Sequence, residues 1–464
     1  MMRFPHRARS AAAALAAVAG AWLLGACDPK NELLKPQQPG VISPSDVQTA
    51  TGAEAIYVGT IGRLTRAVNG GGNNQEGLWN EEGLFTDEYK SADTFSQRND
   101  ADQRNLADND GDLAPIYQRL QQTRGFARTA INALQQFDTS PTGVLHTAEM
   151  YFVMGYAEMS LSSVFCNGIP FGETVDGVPQ YTTPVTDADG STLAISRFDT
   201  ALTILGSPTD DAGKTVLYAT LIGKARAQLD LGDWDGAAAT VASVPTDFSY
   251  DLNYSVSTSD NEWWIMNTQV KRYTVGDSID AGFQVLNAIP FVSLKDPRVP
   301  TSAQGLGEDN STPSINADIW GRDDPVALAW GGDARLIEAE DHLHNNDIAG
   351  MMLILNTLRA SPQTIGEFQV PKLGPITTVP TTQDQARALF FREKALWQYG
   401  RGYRMDDLRR QVRQYGLAQD QVFPSGTFVL KTQPSGSYGS QTNFPVTDDE
   451  RSNPNFHGCL DRNP

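Results

Sequence analysis

The sequence predicts a mainly α protein: a tetratricopeptide-like helical-hairpin scaffold with long irregular loops and a few short strands. Three observations carry this. Apolar residues recur at the 3.6-residue helical period in several long segments. Two segments hold the joint of a helical hairpin, KARAQLDLGDWDGAAATVASVP (224–245) and DARLIEAEDHLHNNDIAGMMLILNTLRA (333–360), each with a polar turn followed by small residues that let two helices approach. Between them, 246–330 has a different composition, with Tyr250, Tyr254, Trp263, Trp264, Tyr273, Phe283, Phe291, Trp320 and Trp330 scattered among Asn, Asp, Ser, Thr and Gly. The hairpins therefore do not build a regular solenoid.

From the N-terminus, Arg3, Arg7 and Arg9 precede an apolar run, Ala11 to Leu24, too short to span a bilayer. It ends in Leu24-Gly25-Ala26-Cys27, which looks like a bacterial lipobox: small residues admit the peptidase, and the Cys27 thiol carries the lipid. Residues 1–26 read as a cleaved signal peptide, 27–44 as a lipid-anchored tether rich in Pro and Gln, and 45–464 as one domain. No other stretch is apolar for the ~18 residues that a span requires, so the body is expected to be soluble and attached to the membrane through the lipid alone.

Ser45-Asp46 reads as the N-cap of a first helix ending near Gly70. Gly70 to Asp110 is polar and interrupted, and its four aromatics, Trp79, Phe85, Tyr89 and Phe95, sit in a stretch with little else to bury them. Helices follow at 113–137 and 145–165, the latter apolar nearly all round and so expected inside the fold. Further helices are expected at 192–205, 213–231 and 234–244. In 246–330 the pieces YSVST, FQVLN and PFVSL suggest small strands, as does FVLK at 428–431 in a loop-like tail.

A net charge of −19 argues against a nucleic-acid partner and against adhesion to anionic lipid by charge alone. Besides Cys27 the chain holds Cys166 and Cys459. In an exported protein two thiols suggest one bridge, here stapling the tail to the end of the helix before Cys166. His342 and His344, two apart on a helix, point to different faces and make no metal pair. Asp108-Asn109-Asp110-Gly111-Asp112 is rich in oxygen ligands but lacks the spacing of a calcium loop, so a helix-capping turn is preferred to Ca²⁺ and no cofactor is expected. Glu81-Glu82 and Asp87-Glu88 could supply a glycosidase pair, though two carboxylates near aromatics are common in loops. The better lead is the aromatics themselves, whose flat faces stack on sugar rings while Asn and Asp bond the hydroxyls; a peptide would use the same surface. One or two among Trp79, Phe85, Tyr89, Trp263, Trp264 and Trp320 are expected to be exposed around a ligand pocket.

The last helical stretch, ARALFFREKALWQYGRGYRMDDLRR (386–410), reads as helix, sharp break at Gly400 and Gly402, and second helix. Its charges, Arg404, Asp407, Arg409 and Arg410, are too many for a core face and should partly pair with one another. GYRMDDLRR (402–410) resembles the Gly-x-Arg-x-x-Asp-Leu-x-Arg signature of SusD/RagB-like outer-membrane lipoproteins, with Arg401 where that family carries an acid. The helix running into Phe-Cys-Asn-Gly-Ile-Pro (165–170) resembles the family's central helix. The resemblance implies a non-enzymatic protein on the outer membrane, facing the cell exterior. It would capture a nutrient, glycan or peptide, for a SusC-like TonB-dependent outer-membrane transporter, with helical hairpins facing that partner. Two other readings compete: an exported helical-toroid glycan hydrolase, with two carboxylates facing one aromatic cleft, and an assembly scaffold.

Overall fold

The structure, a computed structural model, describes residues 48–71, 75–175, 178–257 and 259–464. The signal peptide, Cys27, the tether and the Ser45-Asp46 cap lie outside these residues. The first described helix, α1 (Ala50–Asn69), is instead capped by Thr49, whose Oγ1 accepts from the Gly52 amide at 3.0 Å.

Helices α2 (Leu78–Phe85), α3 (Ser96–Asp102), α4 (Leu113–Phe137), α5 (Pro141–Val164), α6 (Asp187–Leu205), α7 (Asp211–Asp230) and α8 (Trp234–Val241) follow. Then come α9 (Gly331–His344), α10 (Ile348–Arg359), α11 (Gln383–Trp397) and α12 (Arg404–Arg413). The long helices pack in series: α1 on α4, α4 on α5, α5 on α6, α6 on α7, α7 on α8, α8 on α9, and α9 on both α10 and α11. Where the connection is short, as between α4 and α5, α6 and α7, α7 and α8, and α9 and α10, the two helices form an antiparallel hairpin. The fold is mainly α, as the periodicity predicts.

The two hairpin joints share one chemistry. Asp233 caps α8 by accepting from the Gly236 amide at 3.1 Å, and Asp347 caps α10 by accepting from Gly350 at 2.9 Å. Asp347 also bonds His342 Nδ1 at 2.9 Å. His344 lies flat on Trp234, ring centroids 3.6 Å apart, which ties the first hairpin to the second. Helix α5 starts four residues earlier than expected because Ser140 accepts from the Gly143 amide and Pro141 occupies the first turn, where a missing N–H costs nothing.

Two expectations need correction. The described part of the polar stretch, 75–110, is structured and in large part buried: α2, the strand Tyr89–Ser91 and α3 lie in it, and every residue of α2 is buried. Burial on all sides leaves no apolar stripe, so the stretch reads as a loop. Among the strand pieces, only FQVL forms one of the expected strands in the insertion (Phe283–Leu286). Residues 291–295 turn, and Ser255 makes a single bridge to Ser259. The strand Ser425–Leu430 covers most of the expected FVLK and joins Phe283–Leu286, Ile279–Asp280 and Gln433–Ser437 in a four-stranded sheet. Other strands pair in twos, including Tyr89–Ser91 with Tyr273–Val275 and Ser249–Leu252 with Val326–Trp330.

Cys166 and Cys459 are joined, their Cα atoms 5.9 Å apart. The tail is held beside the bridge by the Cys166 amide donating to the Phe444 carbonyl at 2.7 Å and by the Leu460 amide donating to the Asn167 carbonyl at 2.7 Å.

Candidate functional site

The six aromatics that the sequence nominates do not surround a pocket. Trp79, Phe85, Tyr89, Trp263 and Trp320 are buried, none more than 4% exposed, and Trp264 is half-buried against the same core. Tyr89 packs edge-on to Trp263 and Tyr399, and Phe85 to Phe423 and Phe444. Trp320 donates its Nε1 hydrogen to the Ile365 carbonyl at 3.0 Å and meets Trp263 at 5.2 Å. These rings are the core that holds the loop-rich insertion to the helices.

Of the four aromatics in 70–110, Phe95 is the one that reaches solvent, at 51% exposed. It is not among the six aromatics nominated from the sequence; the signal that could have found it is that both its neighbours, Thr94 and Ser96, carry hydroxyls. Its position is fixed from below. Asp93, fully buried, turns the backbone by accepting from the Thr94 and Phe95 amides at 2.6 and 3.2 Å. Its other oxygen takes Arg98 Nη1 at 2.9 Å and Arg272 Nη1 at 2.6 Å. Burial alone would raise the Asp93 pKa, but Arg272 and Arg98 outweigh it and hold the carboxyl below its ordinary range. The two guanidinium groups flank the Phe95 ring, at 5.2 Å for Arg98 and 4.9 Å for Arg272. A neighbouring hairpin, Thr301–Leu306 with Pro313–Ala317, brings Glu308 to Thr94 Oγ1 at 3.1 Å and leaves Leu306 53% exposed. The result is a shelf: one aromatic face, pre-positioned, with hydroxyl and carboxylate groups beside it.

The charges of the 386–410 corner fasten the fold instead of forming a reaction centre. Arg401 donates to Asp333 Oδ1 at 2.6 Å and Oδ2 at 3.1 Å, and Gln398 and Tyr403 complete that carboxylate, each at 2.9 Å. Arg404 holds Asp87 at 3.0 Å, and Arg409 reaches Asp187 at 2.7 Å and the Phe165 carbonyl at 3.1 Å. Within the corner Asp407 takes both Arg410 at 2.8 Å and Lys394 at 2.6 Å, and Arg410 also grips Glu340 at 2.6 Å. The expectation of mutual pairing thus holds in part; most partners lie on other elements.

Nor do the acidic pairs open on a cleft. Glu81, Glu82, Asp87 and Glu88 are all at most 6% exposed. Burial pushes Glu81 and Glu82 well above the carboxylate range, and Glu88 to about 8. Asp110 caps α4 by accepting from the Asp112 and Leu113 amides, and Asp108 turns away to Arg451. Among the described residues no group of three His, Cys, Asp or Glu side chains is arranged to hold a metal, and no helix is long and apolar enough to cross a membrane.

No known family model matches the sequence, and no curated protein does. Solved structures do match in shape. A SusD-like carbohydrate-binding protein from Bacteroides fragilis superposes with a TM-score of 0.63 at 12% identity, covering 89% of this chain and 99% of its own. A second SusD-like protein from B. fragilis gives 0.62 at 12% identity, over 92% and 100% of the two chains. A SusD-like carbohydrate-binding protein from Bacteroides vulgatus gives 0.61 at 12% identity, over 88% and 97%. These matches run over nearly the whole length of those proteins, and the chain has the SusD-like fold.

Proposed function

We propose that the protein binds oligosaccharide at the cell surface, as a non-enzymatic lipoprotein anchored through Cys27, and passes its ligand to a TonB-dependent outer-membrane transporter. The observation that carries the binding step is Phe95: an exposed ring on a backbone fixed by Asp93, with Thr94 and Glu308 beside it. A sugar gains from such a face because its axial C–H groups lie flat on the ring while its hydroxyls find acceptors at the edge. A pre-positioned ring also loses little conformational freedom on binding. Two named neighbours in shape being carbohydrate-binding supports the ligand class, and the lipobox-like sequence supports the anchor.

Calorimetry of the chain beginning after Cys27 against a panel of neutral oligosaccharides tests the binding step. Phe95→Ala should weaken the best ligand about tenfold, or about 1.4 kcal/mol, with an unchanged unfolding midpoint. Equal affinity in the variant would remove Phe95 from the site. The anchor and hand-over are tested by Cys27→Ser, which should release the protein from membranes, and by co-purification of a large β-barrel with the lipidated form.

A further inference from the structure

A second surface lies on the other side of buried Glu76. The Glu76 carboxylate takes Arg98 of the shelf, and its backbone carbonyl takes Arg119 Nη1 at 2.8 Å. Arg119, on α4, shares a cavity of about 560 Å³ with Arg63 and Arg66 on α1, and the remaining polar lining is Thr65, Gln122, Asn253 and Ser259. Among the described residues no Asp or Glu lines it, in a chain whose net charge is −19. Among the described residues Arg66 makes no ion pair, and Arg63 has only the Phe126 ring, 3.6 Å from its guanidinium carbon. Burial and the neighbouring Arg66 push the Arg63 guanidinium below its ordinary value, and burial does the same at Arg119. Arg63 and Arg66, crowded together and without an ion-pair partner among the described residues, are poised to gain from an anion, while Arg119 beside them already feels Glu76 and Glu262.

The cavity continues past Gln122 into a cleft of about 660 Å³. There Phe126 and Tyr181 are 38% and 46% exposed, and amides of Gln180, Asn132 and Asn453 line the walls. The two acids of this half are already engaged: Glu173 by Arg128 at 2.5 Å and Glu450 by the Tyr117 hydroxyl at 2.8 Å.

Three glycines give an independent sign of a ligand. Gly59 and Gly62 lie mid-helix in α1 and Gly125 mid-helix in α4, all exposed on the walls of these cavities. A Cβ built at any of them would meet no atom within 4 Å. Glycine is unfavourable in a helix interior relative to alanine, here no packing neighbour requires it, and bare backbone on a cavity wall leaves room for close approach.

We propose that this cleft binds an acidic oligosaccharide, with its carboxylate or sulfate groups at Arg63, Arg66 and Arg119 and its sugar rings along Phe126 and Tyr181. The assignment takes oligosaccharide as the ligand class from the preceding reading and adds a site and a charge to it.

The test is calorimetry on the chain beginning after Cys27 with an oligogalacturonate, a sulfated galactan oligosaccharide and a neutral xylo-oligosaccharide. At least one acidic probe should bind more tightly than the neutral one and weaken as salt is raised; which one it is separates carboxylate from sulfate. Arg66→Gln should weaken it about tenfold. Gly62→Gln should weaken it as much while raising the unfolding midpoint, a combination that loss of folding cannot produce. Acidic probes binding no tighter than the neutral one, or indifferent to Arg66→Gln and Gly62→Gln, would overturn the cleft. Neutral binding lost in Phe95→Ala would still leave the shelf standing, whereas no binding by any probe would end both readings. Binding to phosphatidylglycerol vesicles in preference to every oligosaccharide would also overturn it.

Discussion

Gly402 and Trp79 meet so closely that a Cβ on the glycine would lie 2.1 Å from Trp79 Cδ1. Gly400 does the same to Trp263, at 2.4 Å from Nε1, and both glycines have positive φ, 68° and 70°. The break between α11 and α12 is therefore shaped by two indoles from distant parts of the chain. Gly402→Ala should cost on the order of 2–4 kcal/mol, the sum of a left-handed conformation and overpacking. Gly416→Ala is the control: its φ is 70° but nothing lies within 4 Å, so the backbone term alone applies, about 1 kcal/mol. Urea unfolding of the two variants measures the difference; equal losses would show that Trp79 yields.

Asp333 and Arg401 are both fully buried, so neither charge can turn to water when the other is removed. Burial would raise the Asp333 pKa, but Arg401 overrides it and keeps the carboxyl below its ordinary range. Arg401→Met should destabilise by about 3–5 kcal/mol, because Asp333 keeps its charge with only neutral donors. Asp333→Asn in the same background should restore part of that loss. A double-mutant cycle read by urea unfolding gives the coupling, and purely additive losses would mean that the pair contributes nothing as a pair.

How much of this was legible follows from where the partners sit. Helix α4 was read to the residue, since its buried positions, Ile116, Leu120, Ala127, Ile131 and Leu134, recur along one stripe. The hairpin joints were legible because Asp233 and Asp347 act on their own next turns. The fates of Trp79 and Trp263 were not, because what covers them is the backbone of Gly402 and Gly400, remote in sequence. A run of aromatics in polar sequence looks the same whether its polar neighbours face water or, like Glu81, Glu82 and Asp93, are buried with it. The corner's charges announced ion pairs but not their partners, Asp87, Asp187, Asp333 and Glu340, which no local spacing connects to 401–410.

The bridge between Cys166 and Cys459 closes a sequence separation of 293 residues. In the chain-entropy model such a closure contributes up to about 5 kcal/mol. The tail keeps other ties, including the Phe444 ring packed edge-on against Phe85 and Phe165. Cys166→Ser with Cys459→Ser should therefore still fold, with a lower unfolding midpoint that reductant no longer changes. In the native protein reductant should lower the midpoint to the same value. A variant as stable as the parent would mean that the tail's packing alone suffices.

Acidity should set stability in a direction unusual for so acidic a chain. Glu81 and Glu82 are pushed well above the carboxylate range by burial, and Glu88 and Asp102 to about 8 by the same cause. In the unfolded chain these groups titrate near ~4. Between that value and about 8 the folded state therefore holds more protons than the unfolded state, so stability falls as pH rises through this window. The opposite sign applies to Glu340. Burial is there outweighed by Arg410 and Lys394, which lower its pKa to about 2, so its contribution is present above ~4.5 and lost as pH falls towards 2. Stability should therefore peak near pH ~5, and urea midpoints should decline from pH 5 to pH 8. Glu88→Gln keeps an oxygen for the Gly400 amide, which now donates to Glu88 Oε1 at 3.2 Å, but removes the proton equilibrium. The variant should lose less stability between pH 5 and 8 than the parent does. A midpoint that rises over that interval in the parent would mean that these buried carboxyls are ionised and that the core at 81–102 is looser than its packing indicates.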